Sequence, residues 1–393
     1  MRSGMRIERE AARQTQRDGP VVLQVLPALG GGGVERGTVE ITQAIVEAGG
    51  TALVASQGGR LMAALERAGG RHIGLRLNSK DPWEIWRNSH RLAEIIRRQR
   101  VDIVHARSRA PAWSAWLAAR RTGAPFVTTY HAVYNEGLPG KRLYNSVMAK
   151  GERVIAISRF VAEHLIERHR VDPARVRVIH RGVDPTVFDP DAVGPHRLVR
   201  LVRTWRLADT ARMVLLPARL TRWKGHSVLL EALAKLGRED VACVLAGSEQ
   251  GNERYAIALV RQAERLGMTG RLHMVGECDD MPAALKLADV VVNASTDPEG
   301  FGRTVIEAQA MARPVIATDH GGAVETVEHG ITGWRVPPGD ADALAAAIEH
   351  ALSLSETKRR ELGSRARAAV LRNYTTQAMQ QATLDVYEEL LGS

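Results

Sequence analysis

Glu299 and Glu307 bracket the run Asp297-Pro298-Glu299-Gly300-Phe301-Gly302-Arg303-Thr304-Val305-Ile306-Glu307. The first carboxylate lies in a glycine-punctuated loop, and the second lies about two turns along the helix that the following residues predict. Before them, Ala288-Asp289-Val290-Val291-Val292-Asn293 reads as a buried strand. Strand, glycine loop and helix N-terminus together favour an anion, because unpaired N–H groups and the helix dipole point at it. Carboxylates beside such a place are unsuited to phosphate. They suit hydroxyls that donate hydrogen bonds, so the pattern fits a phosphate-bearing sugar nucleotide.

Two further motifs follow predicted strands. Pro27-Ala28-Leu29-Gly30-Gly31-Gly32-Gly33-Val34 lets backbone approach a ligand closely and opens a helix. It lacks the acidic partner of a dinucleotide fingerprint, and glycines at such a turn can also be purely steric. In Leu216-Pro217-Ala218-Arg219-Leu220-Thr221-Arg222-Trp223-Lys224-Gly225-His226, the cations Arg219 and Lys224 flank a turn into a helix. A planar fork and a point charge there suit a diphosphate; the alternative is two solvated loop charges. His131 ends a strand in Thr128-Thr129-Tyr130-His131. Asp279-Asp280 and Asp297-Pro298-Glu299 could hold a cation, but two phosphate-binding cations make a metal redundant, and none is expected.

These residues need elements to position them. Apolar runs alternate with helical patterns along both halves of the 393 residues. Expected strands are Val21–Leu26, Ala52–Ser56, Ile103–Val104, Phe126–Thr129 and Val154–Ile157, then Val214–Pro217, Ala242–Ala246, Leu272–Val275, Val290–Asn293 and Val315–Ala317. The alternation predicts α/β architecture: two doubly wound Rossmann-like domains facing across a cleft, with ligands at the carboxyl ends of strands. The expected organisation is a disordered tail over 1–18, domains over 19–190 and 191–375, and a C-terminal helix over 376–393 packing back on the first domain. Cys243 and Cys278 match no metal spacing and read as thiols in a reducing compartment. No apolar stretch reaches the ~18 residues of a membrane span, and the charged first residues do not read as a secretory signal.

The set Arg219-Leu220-x-x-x-Lys224-Gly225, Glu299-Gly300-Phe301-Gly302 and Glu307 resembles the retaining glycosyltransferases of the GT-B fold, family 4. The similarity continues through Ala310-Met311-Ala312-Arg313-Pro314, Gly321-Gly322 and Gly330-Ile331-Thr332-Gly333-Trp334. Val178-Ile179-His180-Arg181-Gly182-Val183-Asp184 resembles the family's hinge motif, with Arg181 where an Asn is usual. The resemblance implies roles. Arg219 and Lys224 neutralise the donor diphosphate. Glu299 takes hydroxyls of the transferred sugar, and Glu307 accepts both ribose hydroxyls. Backbone N–H groups of Phe301, Gly302, Arg303 and Thr304 meet sugar and phosphates. Gly31, Gly32 and Gly33 let the first domain close on the diphosphate. Glu277 borders the nucleobase, and His131 lies beside the sugar. The implied reaction moves a hexose from a UDP- or GDP-linked donor, without cofactor or metal and with retention, to a saccharide or lipid-linked acceptor such as a lipopolysaccharide precursor.

The net charge of +10 asks for an anionic partner. No nucleic-acid module signature is present. Arginines interleave with Trp83, Trp86, Trp113 and Trp116, which suits an anionic membrane surface or a solvated helix face with Trp packed beneath. His105-Ala106-Arg107-Ser108-Arg109 and the loop from Asn135 to Tyr144 are expected to offer cations to a phosphorylated acceptor. The expected protein is a cytoplasmic monomer, at the inner face of the plasma membrane where it meets lipid. Two other readings remain: a phosphorylase or nucleotide-sugar epimerase of the same fold, and a non-catalytic basic protein that binds membrane or nucleic acid.

Overall fold

The computed structural model describes residues 19–134, 136–137, 139–249 and 251–392; the tail expected over 1–18 lies outside them. The chain divides into two compact units. The first takes residues through Ile157, Ala162–Ile179 and those from Gln380 on; the second takes Ser158–Val161 and His180–Met379. The units meet in sequence between Ile179 and His180, ahead of the expected Pro190. The Pro/Asp-rich segment belongs to the second unit because it is bonded there. Val183 N–H donates to the Tyr374 carbonyl at 2.9 Å, and Arg367 donates to the Phe188 carbonyl at 2.9 Å. At Gly182 a side chain would meet the backbone of Thr375 at 2.4 Å.

The first unit holds a seven-stranded parallel sheet: β1 Val21–Val25, β2 Thr51–Ser56, β3 Arg71–Gly74, β4 Ile103–Ala106, β5 Phe126–Tyr130, β6 Arg153–Ala156 and β7 Val176–Val178. Their spatial order is β3-β2-β1-β4-β5-β6-β7. The second holds six parallel strands: β8 Arg212–Leu216, β9 Val241–Ala246, β10 Leu272–Gly276, β11 Val290–Asn293, β12 Val315–Thr318 and β13 Trp334–Val336, in the order β10-β9-β8-β11-β12-β13. Each unit is doubly wound, as the alternation predicts. The ten expected strands form, with shifted ends. The three the sequence does not signal, β3, β7 and β13, are sheet edges. No residue of β3 or β7 is buried, so neither carries the continuous apolar run of a covered strand.

In each sheet the strand order reverses once, at β1/β4 and at β8/β11. Loops leaving the carboxyl ends there open away from each other and leave room for a ligand. The Gly30–Gly33 loop leaves β1, the Arg219–Lys224 loop leaves β8, and the Glu299 loop leaves β11. All three motifs therefore stand at switch points.

The core beneath the second switch point is apolar and closed. Val214, Leu216, Leu229, Leu233, Cys243, Val290 and Val292 are all at most 1 % exposed. Each such aliphatic side chain stabilises by about 1.5–3 kcal/mol, which gives the loops above it a rigid base. Burial pushes the Cys243 thiol up to about 12, so it packs as a small hydrophobe. The first unit adds a polar layer to its buried apolar strands. Gln24 donates to the Thr38 carbonyl and to Thr42, holding β1 to the helix Gly33–Glu47. His105 bonds Thr129 and Tyr387, each at 2.7 Å.

Candidate functional site

In the second unit the loops after β8 and β11 are bolted together. Thr296 N–H donates to the Trp223 carbonyl at 2.7 Å. Gly225 has φ +73°, and a Cβ there would lie 1.8 Å from the Ala294 carbonyl oxygen. Only glycine allows that approach, and it brings Lys224, one residue earlier, beside the end of β11.

Lys224, expected at the diphosphate, and Glu299, expected at the sugar, stand in direct contact. Lys224 Nζ donates to Glu299 Oε1 at 2.5 Å, with side chains 16 % and 12 % exposed. Asn293 Nδ2 donates to the same oxygen at 3.1 Å, and so does the Ser295 hydroxyl. Three donors thus converge on Oε1, and none of the three uses Oε2. Burial pushes the Glu299 carboxyl up, but Lys224, Ser295 and Asn293 outweigh it and hold the group below its usual range. It is ionised at neutral pH. The lysine is pinned from behind by the Trp223 ring, whose centroid lies 4.2 Å from Nζ.

Glu307 lies on the helix Arg303–Ala310 and is 5 % exposed. Arg303, one turn earlier, approaches it at 3.4 Å. The helix starts at Gly302, φ +80°, with no side-chain cap. Asp81, Asp280, Asp340 and Ser355 do cap their helices with side-chain oxygens. No side chain therefore covers the first turn of this helix as a cap. Phe301 does not face outward: it is 2 % exposed and packs on His180 and Tyr374, with centroids 5.6 Å away in both cases. It is the anchor of the loop, and only its backbone is available. Gly321 and Gly322 press on the same loop, where a Cβ would meet the Glu299 carbonyl oxygen or the Phe301 Cα at 2.4 Å.

Arg219 is exposed on the loop after β8. Glu277 is exposed just past β10, at the sheet's edge, with β9 and β8 between that strand and β11. Asp280 is committed internally. It caps the helix Met281–Leu287 and pairs with Arg197 at 2.5 Å and Arg200 at 3.0 Å.

Sequence reasoning missed Asn293, Ser295 and His226. A polar residue closing the apolar Val290–Asn293 strand was the available signal for the first. His226 gave none. It is fully buried under the Arg219–Lys224 turn against Tyr255, with ring centroids 5.9 Å apart. Burial pushes it down to about 4, so it is a neutral packing group.

In the first unit Gly33 opens the helix Gly33–Glu47, and Gly32 precedes it without a side-chain cap. A Cβ on Gly33 would meet nothing within 4 Å. Gly31 is partly exposed and Gly32 exposed. Internal sterics therefore do not require glycine at position 33. His131 follows β5 and is partly buried.

The basic segment after β4 corrects an expectation. His105 and Arg107 are at most 1 % exposed; both point into the unit, where Tyr387 meets the imidazole. Arg109 lies over the Tyr134 ring at 3.9 Å and donates to Asn145 at 2.9 Å. His105 and Arg107 are not offered to an acceptor: β4 is covered along its whole length, and Arg107 just past its end is buried as well. Of the loop Asn135 to Tyr144, Asn135 and Leu138 lie outside the described residues.

A family model described as glycosyl transferases group 1 matches residues 201–369, and one described as glycosyltransferase family 4 matches residues 31–187. The crystal structure of a glycosyltransferase from Rickettsia africae ESF-5 is 40 % identical, with a TM-score of 0.88 over 95 % of this chain and 99 % of that one. Anabaena HepE, solved with UDP-glucose, shares the fold at 23 % identity and a TM-score of 0.82, over 94 % of this chain and 99 % of its own. The D-inositol 3-phosphate glycosyltransferase of Mycobacterium tuberculosis is 32 % identical over 306 residues, 74 % of this chain. The match spans 62 % of that enzyme's length.

Proposed function

The chain belongs to the family 4 glycosyltransferases of the GT-B fold, and from that footing we propose that it moves a hexose from a UDP- or GDP-linked donor to a saccharide or lipid-linked acceptor with retention at the anomeric carbon. The convergence of three donors on Glu299 Oε1 carries this reading. It fixes an ionised carboxylate whose other oxygen can accept a sugar hydroxyl. Glu307 is the acceptor for ribose hydroxyls. Arg219, the remaining donors of Lys224 and the N–H groups at Arg303 and Thr304 stabilise charge on the departing diphosphate, and preorganised electrostatics of this type is usually the largest catalytic term. Glu299, held by three donors, is an electrostatic and positioning group rather than a covalent nucleophile. The acceptor attacks the face the diphosphate leaves and loses its proton to that phosphate. The donor half of the reaction needs no metal in this reading.

Calorimetry with UDP and GDP tests the donor class, and a donor-hydrolysis screen names the sugar. Glu307→Ala raises KM for the donor, whereas Glu299→Ala lowers kcat. Binding of neither nucleotide sinks the reading.

The acceptor side points to lipid. Trp83 and Trp86 stack on each other at 4.8 Å while 63 % and 44 % exposed. Beside them Ile85, Trp86, Trp113, Leu117, Leu143 and Tyr144 line an apolar groove of about 470 Å³. Lys80 reaches the Tyr144 ring, and Arg120 and Lys150 reach the Trp116 ring. Exposed aromatics rimmed by cations suit an anionic leaflet. No described helix is long and apolar enough to cross a membrane, so this contact is peripheral. Sedimentation with anionic but not neutral vesicles is expected, and equal indifference to both removes the membrane from the proposal. The protein works as a monomer, for example in lipopolysaccharide or other cell-surface polysaccharide synthesis.

A further inference from the structure

Among the described residues, the donor and acceptor chemistry leaves one group of metal-ligating side chains unused. Glu136 lies on the loop after β5, and His164 and His169 lie on the helix Arg159–His169, all in the first unit. One ligand atom from each falls within 4.8 Å of the other two. Glu136 Oε1 and His169 Nε2 are 3.3 Å apart, with side chains 8 % and 2 % exposed. That is the edge expected of a tetrahedron whose metal–ligand bonds are about 2.0–2.1 Å. The two imidazole rings stand 5.5 Å apart, edge to face. His164 Nε2 is buried with no hydrogen-bond partner among the described residues.

We propose that Glu136, His164 and His169 bind a divalent transition metal of the zinc type, clasping the loop after β5 to this helix. Two imidazoles and one carboxylate match that ion's preference for nitrogen and oxygen donors. Arg168 Nε donates to Glu136 Oε2 at 2.9 Å, which orients the carboxylate while leaving Oε1 for the metal. Tyr130 hydroxyl lies 3.0 Å from His169 Nε2, and metal binding at that nitrogen would displace this bond. The loop held by this clasp begins at His131, and the ion therefore acts on position, not on donor chemistry.

The test uses the full chain, stripped with chelator and desalted. Zinc chloride is titrated by calorimetry, and cobalt chloride is followed by its visible d–d absorption. One equivalent is expected, with the intense cobalt band of a four-coordinate site. His164→Gln and Glu136→Gln should each weaken zinc at least tenfold and flatten the cobalt band, while their metal-free melting curves overlay that of the metal-free parent. The chain has 13 histidines, so binding elsewhere is the specific alternative. Unchanged affinity and spectrum in both variants overturns the proposal, as does the absence of saturable binding in the parent. Should one variant fail to fold, the other decides the outcome by the same two readouts.

Discussion

The two switch points of this molecule are built to opposite plans. In the second unit the polar groups above the sheet hold one another: Lys224, Asn293 and Ser295 all donate to Glu299, and Thr296 ties one loop to the next. In the first unit the polar groups turn inward, His105 to Tyr387 and Thr129 and Gln24 to Thr42, and the glycine loop above them is exposed at Gly32 and Gly33 and gives its helix no side-chain cap. One site is preorganised; the other leaves backbone for a ligand to complete. A carboxylate on one sheet must be aimed, which needs partners, whereas a helix N-terminus needs only that nothing cover it.

That contrast can be broken in four ways. Lys224→Ala should have the largest effect, lowering turnover by ~10²–10³-fold and leaving Glu299 buried without its cation. A fall of less than tenfold in kcat would mean the pair is structural only. Gly225→Ala comes next. Its positive φ and the Ala294 contact predict a loss of at least ~2 kcal/mol, read as a lowered Tm. Gly33→Ala should raise donor KM about tenfold, since a methyl takes the space a ligand would approach. Stability should hold or rise, by up to ~1 kcal/mol, because alanine is the better helix former. Reduced stability at unchanged KM would make the glycine loop steric after all. Glu389→Gln should be smallest. Arg177 and Arg153 hold its carboxyl down to about 2, against an ordinary 4.5. A lowered carboxyl stabilises above the unfolded value, and the gain is lost as pH falls from about 4.5 towards 2. All three side chains are about a third exposed, so solvent limits the effect to under ~1 kcal/mol. Acid titration of Tm should show the parent losing that margin and the variant lacking it throughout.

The fold was readable because covered parallel strands are apolar runs, unbroken in Val241–Ala246 and closed by a single polar residue in Val290–Asn293. Edge strands need not be, and Arg71–Gly74 shows why they escaped. Glu299, Lys224 and Gly225 were legible as types and spacing, but their bonding was not. The Lys224–Glu299 pair joins residues 75 positions apart, and it depends on β8 and β11 being neighbours, which is a property of strand order. The reading of Arg107 failed for a related reason. Position after a strand was legible, but burial at that position depends on groups as far along the chain as Tyr387.

The polypeptide leaves the first unit at Ile179 and re-enters it at Gln380. His105 and Tyr387 are separated by 282 positions and share a buried hydrogen bond. During synthesis the first unit must therefore wait, with its β4 imidazole lacking its Tyr387 partner, while every residue of the second is made. At about 5–20 residues per second that wait lasts on the order of ten seconds or more. The second unit, complete at Met379, can close while the first is still waiting for its last helix. Shortening the chain before Tyr387 would thus do its damage in the half of the molecule that was translated first.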